Sequence, residues 1–519
     1  MVRRRRNPAY KQMAYETAIR NPDRYLGILT TIQKHVGTIL DDENLLDIVS
    51  ELYLKGEVTS KGLTIDETST IENIKEQVKA INITRRSDGG FPAGYPSRFW
   101  TYMRTLSEMG FVYAQYNEKL LISEMGMKFI EGEIDAGEAF SVQAIRTNRK
   151  SPYRNVSNNY NYFIFIINVL MKLKEKKRKL SYHEFIVSTF SKMGDEDEFI
   201  KLIAAESFSS PDETIMFILG NYPRINKYQT VMVDYPDVVL RMLRITGFVT
   251  ITSRNGSIYL ELNESKQGYY NDLLRLNFKL SDEAIENPKT YFEETGYYSS
   301  RIKEVIFKNR EKDERIENYN TILKNIITTY ELNTELIIKN INTIGTKKKP
   351  SDIIFKYIPD AVKLEFFISI LMYIKYGDKF QIKPNYKTDA NGIPIYHAPK
   401  EIGDIEVFSE KIYWLVEVTL LKSKVQQLNN ETTNLIRHLN TDEKYNETYL
   451  SLVAPIVHVD TRTFFDASVI SLIAQGTLKK INAKPYTIKD FIEFLINKDA
   501  FLDMKEYTEN IKNNLRANL

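Results

Sequence analysis

Glu417 sits in the middle of the run Lys411-Ile-Tyr-Trp-Leu-Val-Glu417-Val-Thr419-Leu-Leu421, which is otherwise almost wholly apolar and rich in β-branched and aromatic residues. Bounded by turn residues, such a run reads as a strand buried on both faces. An ionised carboxylate buried there without a partner costs several kcal/mol. The two adjacent strands offer no Arg or Lys at facing positions. Instead, the preceding strand, joined through a hairpin turn at Ser409-Glu410, brings a second acid, Asp404, at its start. Two anions on neighbouring strands repel unless a cation bridges them, and hard oxygen ligands favour Mg²⁺. The competing reading leaves Asp404 in water at a strand end and Glu417 in a salt bridge.

Strand alternation places Glu417 and Thr419 on one face, and Asp404 on a face with Glu406 and Phe408. The stretch Leu428 to Leu439 reads as a helix in which Glu431, Leu435 and His438 share a face. That face could turn towards the strand end and bring Glu431 and His438 beside the acids. Upstream, the apolar helix Val362 to Ile374 carries one acid, Glu365. His35, His183, His397 and His458 have no comparable company and receive no role.

These elements sit at the end of a chain of 519 residues, too long for one core and suited to about three to four domains. Hydrophobic residues make up 43% and charged residues 27%, as in an ordinary globular protein. The most apolar stretch, Tyr162 to Met171, falls well short of the roughly 20 residues a membrane helix needs. Arg3 to Arg6 are followed by no apolar segment, which argues against a secretory signal. The absence of cysteine excludes disulfides, thiolate zinc sites and a cysteine nucleophile, and fits a reducing cytoplasm. The net charge of +3 is too small to imply nucleic-acid binding by itself. Lys172 to Lys179 carries six cations against one Glu, either a solvated face or a phosphate-contacting patch.

The N-terminal third reads as helices. Asn21-Pro22-Asp23 supplies a cap and a first-turn proline for one, and Glu43 to Leu54 forms another that stops at Gly56. Two later stretches resemble each other. Ser97 to Met109 reaches Gly110-Phe-Val, and Asp237 to Thr246 reaches Gly247-Phe-Val; each continues into a strand, a turn and a second strand. A helix ended by Gly and followed by a hairpin is the layout of a winged helix, a helix-turn-helix variant that reads DNA. Any α+β domain can contain the same order, but two copies favour DNA binding. Arg98, Tyr102 and Arg104, with Arg241 and Arg244, lie on or near these helices. The segment Arg146 to Arg154 holds four cations, Arg146, Arg149, Lys150 and Arg154, and reads as an exposed loop against solvent or phosphate. From Asn287-Pro288 to Lys349-Pro350 charged residues alternate with Ile, Tyr and Leu, as in a helical connector, and Thr346-Lys-Lys-Lys-Pro350 looks like a hinge.

An acidic helix, Asp at a strand start, a hairpin, then Glu-x-Thr on a central strand resembles the PD-(D/E)XK nuclease pattern. Glu417-Val-Thr-Leu-Leu421, Gln426-Gln427, Glu431 and Arg437-His438-Leu439 narrow the resemblance to the type IIS restriction and nicking endonucleases typified by AlwI, PleI, MlyI and BstNBI. The Arg-Asn-Pro motifs and the Ser97-Arg98 segment are similar to that group as well. The likeness is specific over about Glu365 to Leu439 and architectural over the first 270 residues.

The resemblance implies metal-binding acids at Asp404 and Glu417, an acid of the preceding helix at Glu365, and an additional acid and histidine at Glu431 and His438. It implies Mg²⁺, a DNA-recognition half, and a nuclease half that cuts a fixed distance away. Some members nick one strand and need a small second subunit or a second copy for the other. The usual motif has Lys two positions after the Glu; here that position is the neutral Thr419, as in the AlwI-like group. The expected fold is therefore multidomain α+β. It comprises winged-helix-like recognition subdomains over 1–150 and 151–270, a helical linker over 271–350, and an α/β PD-(D/E)XK nuclease domain with a mixed central sheet over 351–519. The expected activity is Mg²⁺-dependent, site-specific hydrolysis of double-stranded DNA. A DNA-binding regulator with a degenerate nuclease-like domain, and a modification-dependent nuclease, are the alternatives.

Overall fold

The computed structural model describes residues 11–518 except 61, 67, 81–94, 223–226, 314–317, 400–401, 423, 425–426, 429–437, 440–443 and 477–479. The chain divides into two compact units, Met1–Arg315 and Ile316–Leu519. Among the described residues no helix is long and apolar enough to cross a membrane.

The first unit is mainly helical, and both expected helix–Gly–hairpin modules are present. The helix Tyr95–Glu108 runs to Gly110 (φ 68°), and β1 (Val112–Tyr113) then pairs antiparallel with β2 (Leu121–Ile122). Gly110 has no room for a side chain, since a Cβ there would lie 2.2 Å from Thr295 Oγ1. The second hairpin has a short partner strand, β3 (Leu180–Ser181), ahead of it in sequence. Its helix, Tyr235–Ile245, is followed by Gly247 (φ 74°), β4 (Val249–Arg254) and β5 (Ser257–Leu262), in the order β3-β5-β4. Asn255 (φ 51°) and Gly256 (φ 72°) form its two-residue turn, the left-handed pair that matches strand twist. The helix expected after Asn21-Pro22 begins at Arg24, because Asn21 is engaged instead as an acceptor for Arg241 Nη1 at 2.5 Å. The helix Asp42–Leu54 starts where expected, its cap Asp41 accepting from Asn44 N at 2.9 Å.

The stretch 271–350 is helical, but it is not a free connector. Helices Pro288–Gly296 and Ser300–Asp313 fall in the first unit, and Tyr319–Thr329 and Thr334–Ile341 in the second. Asn320 secures the second pair: its Nδ2 donates to Gly377 O (3.1 Å) and Phe380 O (2.9 Å), and its Oδ1 accepts from Ile382 N (2.9 Å).

The second unit is built on a mixed sheet. After the helix Asp360–Tyr376 come β6 (Gln381–Pro384) and a small hairpin of β7 (Lys387–Thr388) and β8 (Pro394–Tyr396). They are followed by β9 (Ile405–Phe408), β10 (Ile412–Val418), β11 (Glu447–Ala454) and β12 (Ile481–Thr487). The sheet order is β12-β11-β10-β9-β6, parallel from β10 to β12 and antiparallel from β10 to β6. As its composition demands, β10 is covered on both sides. Tyr413 and Leu415 pack with Leu450, Leu452 and the helix residues Phe465, Val469 and Leu472. On the other face Trp414 is fully buried, its ring 5.1 Å from Phe501 and 6.0 Å from Tyr376, and its Nε1 donates to Ser451 Oγ at 3.0 Å. Helices therefore flank a central sheet, and the apolar load of β10 holds Glu417 at its carboxyl end.

Candidate active site

The hairpin register decides where the acids meet. Leu415 pairs with Glu406 and Val416 with Ile405. One step further sets Glu417 opposite Asp404, and directly opposed residues project from the same face. A hydrogen bond secures this end, Val418 N donating to Asp404 Oδ2 at 2.7 Å. Gly403 makes the approach possible: a Cβ there would lie 2.8 Å from Glu417 Oε1 and 2.2 Å from Leu415 Cδ1.

Glu417 is 5% exposed. Its partner is His438, whose Nδ1 lies 2.8 Å from Glu417 Oε1. Where the carboxylate accepts, Nδ1 is the donor and the lone pair of a neutral ring falls on Nε2. Leu439, the next residue, is buried in the cluster with Leu415, Leu450 and Leu452. The strand exit is equally fixed. Thr419 N donates to Val453 O (2.9 Å), and Thr419 Oγ1 accepts from Leu421 N (3.1 Å). Gln427, fully buried, donates to Leu421 O and Ile456 O, both at 2.8 Å, and accepts from Thr461 Oγ1 at 3.0 Å.

On the same face lies a cluster that the strand pattern did not single out. Lys383 pairs with Glu406 across β6 and β9, Nζ to Oε2 at 2.6 Å. Glu406 also accepts from Asn385 Nδ2 (3.1 Å) and Tyr413 Oη (3.0 Å). Burial alone would push this carboxyl up; Lys383, Asn385 and Tyr413 together outweigh it and hold Glu406 below its ordinary range. Asn385 Nδ2 also donates to Gly403 O at 2.7 Å, and its N to Asp404 O at 2.9 Å, so this cluster supports the backbone that carries Asp404.

Glu365 is 2% exposed, with Oε1 3.6 Å from His397 Nδ1 and Oε2 buried without a hydrogen-bond partner among the described residues. Its charge is felt by Tyr386, whose hydroxyl is pushed up by burial and further by Glu365. Tyr386 is the neighbour of Asn385. His397, given no role from sequence, is thus the histidine beside the helix acid; β8 brings it there, and no local pattern reveals such a fold-dependent contact. Glu431 lies outside the described residues. Among the described residues no group of three His, Cys, Asp or Glu side chains is arranged to hold a metal ion. The hard carboxylates of Asp404 and Glu417 nonetheless fit Mg²⁺, which is commonly held by one or two carboxylates together with substrate phosphates.

The basic residues expected on DNA fall into two groups. Arg98 is exposed, Arg104 is half-exposed and 2.8 Å from Glu16, and Lys150 reaches Glu286 at 3.1 Å. The others are internal, which corrects the reading of Arg146 to Arg154 as an exposed loop. Tyr102 is buried with its hydroxyl 3.0 Å from that of Tyr53. Arg146 donates to Thr295 O (2.6 Å) and Tyr297 O (2.9 Å) between the rings of Phe278 and Tyr297. Burial pushes its guanidinium down to about 10, still a cation at neutral pH. Arg149 binds Lys11 O, Tyr160 Oη and Ser191 O, and Arg154 pairs with Glu108 at 2.6 Å. These arginines satisfy buried carbonyls and a buried acid, a use that guanidinium's fork of donors serves well. Arg244 is likewise 2% exposed, and Arg241 bonds Asp237 at 3.1 Å. Four of the six cations in 172–179 are paired, Lys172 with Asp197, Lys174 with Glu264, Arg178 with Glu184 and Lys179 with Glu261.

The catalytic unit thus presents a helix-flanked mixed sheet with two acids and a histidine at one strand end. The model of the AlwI restriction endonuclease family matches residues 107–494, and the chain belongs to that family of DNA nucleases. No curated protein sequence matches the chain. Among solved structures, the small subunit (R.BspD6I2) of the heterodimeric restriction endonuclease R.BspD6I is 18% identical, covering 35% of this chain and 90% of its own, with a TM-score of 0.26. The BpuJ1 endonuclease binding domain, solved with pyrene- and phenanthrene-modified DNA, is 12% identical over 55% of this chain and 97% of its own, with a TM-score of 0.34. Restriction endonuclease FokI is 12% identical over 93% and 96%, with a TM-score of 0.23.

Proposed function

We propose that the chain is a type IIS restriction or strand-specific nicking endonuclease that hydrolyses one DNA phosphodiester at a fixed distance from an asymmetric site. The observation that carries this reading is the pairing of Glu417 with His438 beside Asp404, in a chain of the AlwI family. Mg²⁺ held by Asp404 and Glu417 would supply positive charge to the scissile phosphate and acidify the attacking water. His438 takes that water's proton on Nε2 while Glu417 holds Nδ1–H; the water oxygen bonds to phosphorus and the P–O bond to the leaving sugar oxygen breaks. Glu431 helps to orient the water, and Glu365, steadied by His397, supports the site from the helix behind it.

The helix–Gly–hairpin modules of the first unit act as winged helices on DNA, with the exposed Arg98 and the surface Arg104 and Lys150 at phosphates or base edges. The enzyme works in the cytoplasm, and a small second subunit or a second copy cuts the opposite strand where both are cut. Glu417→Ala tests the reading: plasmid cutting in Mg²⁺ should fall by orders of magnitude while duplex affinity stays close to wild type. Undiminished cutting by this variant would remove the assignment, and a wild-type protein that leaves supercoiled DNA intact would point to a regulator.

A further inference from the structure

Lys347, Lys348 and Lys349 are consecutive and exposed, on the loop between the Thr334–Ile341 helix and the 3₁₀ turn Ile353–Tyr357. In the run 172–179, by contrast, four of six cations are paired with acids. The three lysines of the loop are not: among the described residues none of them has an ion-pair partner. Hydrogen bonds fasten the base of the stretch expected as a hinge. Asn340, fully buried, closes its base, Nδ2 donating to Ser351 Oγ and Oδ1 accepting from Ser351 N, both at 2.8 Å. Thr346 turns the chain inside it, its Oγ1 donating to Thr343 O (2.8 Å) and accepting from Lys348 N (3.1 Å). Above Gly345 the space is open, with nothing within 4 Å of an added Cβ.

Three like charges side by side repel one another, and no acid among the described residues pairs with them. We infer that this loop is a sequence-independent docking site for the sugar–phosphate backbone of duplex DNA carried by the catalytic unit. The inference rests on the endonuclease reading and adds a requirement to it. An enzyme that cuts at an offset meets arbitrary bases there, so the unit that cuts must grip phosphates.

The test is the salt dependence of duplex binding by the full chain, measured without divalent cation so that no cutting intervenes. Replacing all three lysines by alanine should make the slope of log K against log[salt] shallower by about 2 to 3, at roughly 0.9 for each phosphate no longer neutralised. Affinity should fall to the same extent on specific and nonspecific duplexes, and the triple arginine variant should keep the wild-type slope. An unchanged slope in the alanine variant, with wild-type protein binding and cutting normally, overturns the loop assignment alone, and an acidic protein partner would give that result. Wild-type protein that binds no duplex overturns the endonuclease reading and this inference together. Because the three side chains are exposed, the melting temperature of the alanine variant serves as the folding control.

Discussion

His438 Nδ1 stands 2.8 Å from Oε1 of Glu417, on a strand end where Val418 N is already committed to Asp404. Among the described residues the ion-pair partner of Glu417 is His438, whose imidazole nitrogen meets Oε1. His438→Ala is expected to lower kcat by about 10² to 10⁴, the range for a lost general base, with KM for duplex within a few-fold of wild type. Glu417→Gln should be as damaging, because an amide can also present N–H to Nδ1 and so draw the lone pair away from Nε2. Single-turnover cleavage of a defined duplex measures both. Near-wild-type kcat in His438→Ala would show that the proton leaves by another route.

Gly403 offers a subtler handle on the same acid. An alanine there brings Cβ within 2.8 Å of Glu417 Oε1 and 2.2 Å of Leu415 Cδ1, both ends of side chains, so the fold can yield by moving them. Moving Glu417 breaks its register with His438. Gly403→Ala should therefore keep a near-native melting temperature and DNA affinity yet lose at least about ten-fold in kcat, since misplacement of about 1 Å costs up to about 10². Equal loss of stability and activity would reduce the residue to a packing role.

The strand pair that carries Glu417 was legible because its signals are local. A β-branched run with one acid, a hairpin turn and an acid thirteen positions upstream fix a strand pair and a register through side-chain alternation alone. The arginines of 146–154 misled because the rule that Arg lies on the surface fails when buried carbonyls need donors. Those carbonyls, Thr295 O, Ser191 O and Lys11 O, come from distant parts of the chain. For the helices of 271–350 the sequence shows the helical pattern but not where each helix packs. Alternating charged and apolar residues describe a one-sided amphipathic helix equally well in a linker and on a core, and Asn320 bonding to Gly377 and Phe380 is a tertiary fact. His397 beside Glu365 depends on the same kind of contact.

The Arg154–Glu108 pair can be separated from any role on DNA by stability. The two groups are 2.6 Å apart with side chains only 16% and 6% exposed, and Arg154 also lies 4.9 Å from the Tyr15 ring. Arg154→Met leaves a buried carboxylate unpaired and should destabilise the first unit by about 3–5 kcal/mol. Adding Glu108→Gln removes the stranded charge and should recover a substantial part of that loss. Urea denaturation of the four proteins of this cycle measures the coupling. Duplex affinity per folded molecule should return with the second substitution. Were Arg154 to bind phosphate, affinity would stay low in the double variant although stability recovered.

Glu447, at the start of β11, supplies a pH test of the sheet. Its carboxyl is held down at about 2 against an ordinary 4.5, first by the Tyr449 hydroxyl (2.6 Å), against the opposing effect of burial, and then by Lys480 (2.9 Å) and Lys505 (3.1 Å). The folded state therefore binds fewer protons than the unfolded state between these values, and stability rises with pH across that window. The contribution is complete above 4.5 and is lost as the pH falls towards 2. Much of the site faces solvent, so screening limits its worth to at most about 1 kcal/mol, or about 2–4 °C in the melting temperature of a domain of this size. Glu447→Gln should melt lower than wild type by up to that amount at neutral pH. The two curves should draw together as the buffer is taken down through the acid range. A gap that persisted unchanged at the acid end would assign the effect to lost packing at the head of β11, because protonation leaves the shape of the side chain intact while removing its charge.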